Sequence, residues 1–390
     1  MRVLVLDTIH GGSVLAAALR DRGDTVDAVD VYRNSAFPAE LAAQKTYDLI
    51  TAPVHLDPAY PLLQKTPVCT HHELTGRLVS PPEISIEITG ARGKTTTAFA
   101  VAHLLDGSGV LHTSSGTFLY PSRRLLFKKS ITPASVIPAA AEAHRHHAAW
   151  LVAEESAGVC GFGTLGILTS DSDYPIAAGK RSALAAKLES LRRCTSVLVP
   201  DSIPKESGWH AVGDLVSVRG DTLFWDGGEI HNPLLTLAGY RAALATAAAA
   251  GVLLDLPVER LASFEALPGR MHLSLSGATP VLDNAGSGTN ADNAIEAAAY
   301  LRRRYPDRDL VLVIGMEEHA VCEGFPQDEI LRAVRTILPA RLILISGTDE
   351  ISLSCPADAV CRTLIDAKET ALGYAKECHG SILFAVKTWR

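Results

Sequence analysis

Apolar residues in this chain fall into short runs separated by turn-forming stretches. Arg2 to Leu6 is a buried-strand run, Gly11-Gly12 opens a helix pattern through Arg20, and Thr25 to Val31 returns as a second strand. Together they make a βαβ-type unit, and Asp48 to Ala52 and Pro67 to Cys69 add further short strands. Pro81-Pro82 forbids helix and favours extended chain, which suits a linker. From Ile84 the pattern restarts with strand Ile84 to Ile88, a Gly-rich turn and a helix from Lys94 to about Leu105. Strand and helix then alternate to about Val199, which predicts a doubly wound parallel sheet. An Ala-packed helix is expected around Ala238 to Leu253. Strands Val281-Leu282, Leu310 to Ile314, Leu342 to Ile345 and Ile382 to Ala385 then alternate with helices. The expected division is 1–80, 81–267 and 268–390.

Length agrees, since 390 residues at roughly 150 per domain give two or three domains. Hydrophobic residues at 47% against 20% charged and 6% aromatic exclude disorder and suit an α/β enzyme. With 36 Lys+Arg against 43 Asp+Glu the formal charge is −7, so no global positive field holds a nucleic-acid backbone or an anionic membrane. No basic stripe supplies one locally. The cysteines (Cys69, Cys160, Cys194, Cys322, Cys355, Cys361, Cys378) contain no C-x-x-C pair for zinc or dithiol chemistry, and a reducing cytoplasm is the expected location. The opening strand lacks the basic start and cleavage site of a signal peptide. Ala242 to Leu256 falls short of the roughly 20 residues a bilayer span needs.

Candidate chemistry concentrates in Thr89-Gly90-Ala91-Arg92-Gly93-Lys94-Thr95-Thr96-Thr97, between strand and helix. Glycines let backbone N–H groups turn toward a polyphosphate, and the helix N-terminus adds its dipole. Lys94 reaches the β/γ oxygens and Thr95 can ligate Mg²⁺. The first glycine of G-x-x-x-x-G-K-[ST] would fall at Ile88, so the generic pattern fails there. A chance Gly-Lys-Thr at a helix start is the competing explanation.

The spelling T-G-x-x-G-K-T-T resembles the Mur ligases, which include peptidoglycan amino-acid ligases and folylpolyglutamate synthetase. The resemblance spans most of the chain. It implies a three-domain α/β architecture with a small N-terminal Rossmann-like substrate domain, a central P-loop ATPase and a C-terminal Rossmann-like domain. It also implies ATP and Mg²⁺, with Gly90, Ala91, Arg92, Gly93, Lys94, Thr95 and Thr96 around the nucleotide.

Further segments follow from the same resemblance. Ala153-Glu154-Glu155-Ser156 looks like the family's E-x-S, whose glutamate binds the nucleotide's Mg²⁺; register picks Glu154, with Glu155 as the fallback and a solvated loop as the plain alternative. Where the family carries T-N-x-x-x-D-H for a second metal, this chain has Thr169-Ser170-Asp171-Ser172-Asp173-Tyr174 without histidine. Asp171 or Asp173 substitutes there, or the second site is absent. Lys187 in Ala185-Ala186-Lys187-Leu188 matches a lysine that is carbamylated in several members, with an ordinary helix-surface lysine as the alternative. Leu267-Pro268-Gly269-Arg270-Met271 resembles the family's P-G-R-M hinge, which makes Arg270 a nucleotide contact. Asp283 in Leu282-Asp283-Asn284-Ala285 is another, with turn chemistry as the alternative. The helix from Gly239 lacks the family's adenine-facing asparagine. His112 to Thr117 and Lys129 to Pro133 resemble the post-P-loop strand and the T-T-P substrate loop, surface loops being the alternative. His144 and His147 close a helix as solvated groups suited to its dipole.

About 80 residues with Asp7-Thr8-Ile9-His10-Gly11-Gly12 stand where peptidoglycan ligases hold a UDP-sugar. This start resembles the branch whose enzymes close the last carbocyclic ring of coenzyme F-430. It implies a small carboxylate substrate, a nickel seco-tetrapyrrole, activated as an acyl phosphate. An amide-forming ligase of folyl or poly-γ-glutamate type and a non-catalytic nucleotide-binding module are the competing classes.

Overall fold

The computed structural model describes residues 1–32, 37–64, 67–286, 288–317, 325–347 and 357–388. It divides into two compact units, Met1–Phe264 and Glu265–Arg390. Cys322 and Cys355 lie outside the described residues, and Cys69, Cys160, Cys194, Cys361 and Cys378 are free thiols.

The first unit is built on two main sheets and also holds smaller antiparallel ones. In the smaller main sheet, strands run in the order Thr25–Val29, Arg2–Leu6, Leu49–Ala52, Val68–Thr70, all parallel. Val3 and Val5 pack with Leu15 and Leu19, while Leu4 and Leu6 pack with Ile50 and Leu62. Both faces are therefore covered, which is why the strand reads as one continuous apolar run. The expected helix begins at Ser13, because Thr8–Gly12 forms a π-turn first.

The larger sheet runs Trp209–Ala211, Ser196–Val199, Leu165–Leu168, Ile84–Thr89, Trp150–Glu154, Gly109–Thr113, Gly116–Tyr120, Arg124–Phe127. Its first six strands are parallel, as the alternation predicts. The last two are antiparallel and make the sheet mixed. Only Ser114-Ser115 separates Gly109–Thr113 from Gly116–Tyr120, far too little chain for the crossover a parallel pair requires. A three-stranded antiparallel sheet, Val216–Arg219, Thr222–Trp225 and Gly228–His231, was likewise not expected. The helix Ala238–Leu253 occupies the span its alanines predict and packs on helix Lys94–Leu104, where small side chains allow close approach.

In the second unit, the order is His272–Ser276, Thr279–Asp283, Gly380–Lys387, Asp309–Met316, Arg341–Ser346, Ala359–Cys361. All are parallel except His272–Ser276. Helix Leu364–Glu377 packs Leu364, Ala367, Ala371 and Ala375 onto this sheet. Among the described residues no helix is long and apolar enough to cross a membrane.

Candidate active site

The strand Ile84–Thr89 ends on a loop that only glycine can follow. Gly90 has φ +147°, and a Cβ there would meet Thr169 Oγ1 at 2.2 Å. Gly93 takes the left-handed conformation and starts helix Lys94–Leu104 without a side-chain cap, leaving the first N–H groups for a ligand. Lys94 reaches back over the loop, its Nζ donating to Gly90 O at 3.1 Å. Thr95 and Thr96 follow, both buried. The loop is held from the side by the segment after strand Leu165–Leu168. Ser170 Oγ accepts from Ala91 N at 3.0 Å and Arg92 N at 3.3 Å, and Thr169 Oγ1 donates to Arg92 O at 2.5 Å.

Strand register decides between the paired acids. Glu154 sits opposite Ile88 with its side chain toward the helix N-terminus, where Oε1 accepts from Thr95 Oγ1 at 3.0 Å. Its Oε2 accepts from Ser114 N at 3.0 Å, and Ser114 Oγ lies 3.2 Å from Thr95 Oγ1. Glu155 faces the other way. It is fully buried, and burial first and Glu87 second push its carboxyl well above the usual carboxylate range. Cys160 Sγ donates to Glu155 Oε2 at 2.9 Å, while Glu87 accepts from Gly161 N and Gly163 N. Glu155 thus belongs to a separate buried group with Cys160, and of the two acids Glu154 is the one with an oxygen beside Thr95.

Lys187 lies on helix Ala183–Leu191 and is fully buried, so it is not a surface lysine. Its amine stands 4.5 Å from the centre of the Tyr174 ring and has no hydrogen-bond partner among the described residues. Burial, with Lys94 adding like charge, lowers its pKa to about 8. Neither neighbouring aspartate is idle. Asp173 accepts from Leu184 N, Tyr174 N and Ser182 Oγ, tying down the start of that helix, and Asp171 accepts from Ser202 Oγ.

The remaining expected residues belong to other elements. Asp283 ends strand Thr279–Asp283 in the second unit, with Oδ1 accepting from Ala285 N, and Arg270 lies in the turn before His272–Ser276. His144 joins no metal cluster among the described residues; its Nε2 lies 2.7 Å from Ser80 O at the end of helix Val136–Arg145. In the helix that lacks the family asparagine, Ala242 and Ala245 stand at the asparagine positions, and the preceding Arg241 donates to Leu235 O.

Comparison with known proteins decides the family. The description "Coenzyme F430 synthetase CfbE, C-terminal domain" matches residues 275–388. Coenzyme F(430) synthetase of Methanosarcina acetivorans is 30% identical, over 84% of this chain and 86% of the relative. The chain belongs to the coenzyme F430 synthetase family. Solved structures show that this family has the Mur ligase fold. MurF from Acinetobacter baumannii is 12% identical with a TM-score of 0.58, over 89% of this chain and 88% of that one. The murein peptide ligase Mpl of Psychrobacter arcticus is 14% identical with a TM-score of 0.51, over 99% and 95%.

Motif matching names the segments that carry three further parts of the site but not the contacts they make. Ser114 and Ser170 clamp the acid and the loop through contacts 40 and 79 residues apart in sequence. Tyr174 supports Lys187 from a loop that reads only as acidic. The signal for Lys187 itself was present, since Ala183, Lys187, Ser190 and Leu191 form one buried helical stripe.

Proposed function

We propose that this chain uses ATP to activate a carboxylate of a nickel seco-tetrapyrrole and closes the final carbocyclic ring of coenzyme F430, releasing ADP and phosphate. Its membership of the synthetase family supports the product. The convergence of Lys94, Thr95 and Glu154 at one helix N-terminus carries the chemistry. A carboxylate oxygen attacks the γ-phosphorus and ADP leaves; an internal carbon nucleophile, having lost its proton, then attacks the acyl carbon and phosphate leaves. No covalent protein nucleophile is required, so catalysis rests on positioning and charge neutralisation.

In this proposal the loop N–H groups of Gly90 to Gly93 with Lys94 and Thr96 hold the polyphosphate. Thr95 Oγ1 and Glu154 are hard oxygen donors that fit Mg²⁺, which supplies neutralisation of phosphate charge when bound. Lys187, a buried amine with no acceptor and a pKa of about 8, is chemically suited to add CO₂ and become an anionic carbamate near Lys94. Arg270 and Asp283 are proposed as nucleotide contacts on the family resemblance alone.

The test is incubation of the purified full chain with ATP, Mg²⁺ and nickel seco-tetrapyrrole acid, with no amine present. Phosphate release accompanied by a change in the visible spectrum is expected. Release that appears only when an amino acid is added would replace ring closure by amide formation.

A further inference from the structure

At the carboxyl end of strand Arg2–Leu6, Asp7, His10 and His55 bring three ligand atoms within 4.8 Å of one another. This strand pairs with Thr25–Val29 on one side and Leu49–Ala52 on the other. The loop after it therefore lies where the strand order reverses, the position at which open parallel sheets bind ligands.

The cluster is built with some strain. Asp7 is fully buried and holds φ at 71°, uncommon for a residue with a Cβ. Its Oδ1 accepts from Ile9 N at 2.9 Å and His10 N at 3.1 Å, which leaves Oδ2 to face the imidazoles. His10 Nδ1 is 2.6 Å from Oδ2. His55 Nε2 is a buried atom 3.4 Å from the same oxygen, with no hydrogen-bond partner among the described residues. Gly12 permits the tight loop, since a Cβ there would come 2.0 Å from Asp7 O. His71, also fully buried, has neither ring nitrogen hydrogen-bonded among the described residues. A buried carboxylate oxygen thus faces two imidazoles, at 2.6 Å and 3.4 Å.

We propose that Asp7, His10 and His55 are the ligands of a divalent transition-metal ion, in a site separate from Thr95 and Glu154. Two nitrogens and one carboxylate oxygen select nickel, zinc or cobalt over Mg²⁺, whereas the hydroxyl and carboxylate of the phosphate loop select the hard cation. The His10 side chain is 46% exposed, so the ligand set is open on one side. The loop that carries His10 is linked by a chain of contacts to the segment after Glu154. Gly11 abuts Thr132, Ile131 O accepts from Ser156 N, and His72 Nε2 lies 2.9 Å from Ser156 O, two residues beyond Glu154. The metal arrives either as the aqueous ion, which all three would hold, or as the nickel of the macrocyclic substrate, whose ring nitrogens leave one position open on that face and so would take the exposed His10 alone; the second source rests on the function proposed above.

Both sources are tested on the full chain without turnover. In one arm, wild type, Asp7→Asn, His10→Ala, His55→Ala and Glu154→Gln are dialysed against Ni²⁺ with excess Mg²⁺, and bound nickel is measured. In the other arm, the same proteins are titrated with nickel seco-tetrapyrrole acid and the visible bands followed. Expected is one bound nickel in the first arm or a band shift in the second, unchanged in Glu154→Gln. Binding should weaken about 10–100-fold in the isosteric Asp7→Asn and be lost in His10→Ala. A response only in the second arm identifies the substrate as the source. No binding in either arm, or binding unaltered in Asp7→Asn and His10→Ala, overturns the proposal. Because neither arm reads ADP or ring closure, failure of the proposed reaction leaves the first arm's result standing.

Discussion

Lys187 carries an amine into the interior without a hydrogen-bond partner among the described residues, which costs stability. Its pKa of about 8 means that between pH 8 and 10.5 the unfolded chain holds a proton the folded chain has released. Stability of the unmodified protein therefore rises with pH across that window and is lowest below it. Lys187→Met should raise stability near pH 7 by up to about 3 kcal/mol, remove the rise in melting temperature between pH 8 and 10, and abolish ring closure. A variant that melted lower and kept its activity would mark Lys187 as structural. Bicarbonate supplies a second check at this residue: depletion should lower turnover and replenishment restore it, with no such response in Lys187→Met. The A-K spelling pointed to this lysine, but only the buried stripe of its helix separates it from a surface residue. Glu154 and Glu155 make the same point, because adjacent residues on a strand face opposite ways and the motif alone names the pair.

The phosphate loop shows what one element contributes beyond its residues. Gly90 touches Thr169, and Ser170 accepts two of the loop's N–H groups, so loop and neighbouring strand end are set together. Gly90→Ala must displace Thr169 and adopt a φ that L residues rarely take. It should reduce ATP-dependent turnover at least about 100-fold while far-UV circular dichroism stays native. Near-wild-type nucleotide binding in that variant would contradict the loop assignment. Strand, turn and helix around this loop were legible because buried parallel strands write continuous apolar runs. The antiparallel strands Gly116–Tyr120 and Arg124–Phe127 were not, since their pairing depends on short turns rather than on a hydrophobic run. The small sheet from Val216 to His231 was missed for a related reason, its short strands being partly exposed and mixed in polarity.

Across the whole molecule, the α/β alternation, the family and the strand-turn-helix around Gly90–Lys94 could be read from the chain, whereas the convergence of distant side chains could not. Asp7, His10 and His55 are separated by up to 48 residues, and parallel topology alone brings them to one sheet edge. Two compact units, each with its own sheet core, predict that calorimetry resolves two transitions, of which a nucleotide analogue with Mg²⁺ raises the one belonging to Met1–Phe264. A single transition insensitive to the analogue would contradict nucleotide binding in that unit. The acyl phosphate is the central claim, and isotope transfer tests it most directly. With ¹⁸O in the substrate carboxylate, one labelled oxygen should appear in each phosphate released. Phosphate carrying no label, its new oxygen drawn from water, would contradict carboxylate activation at this site.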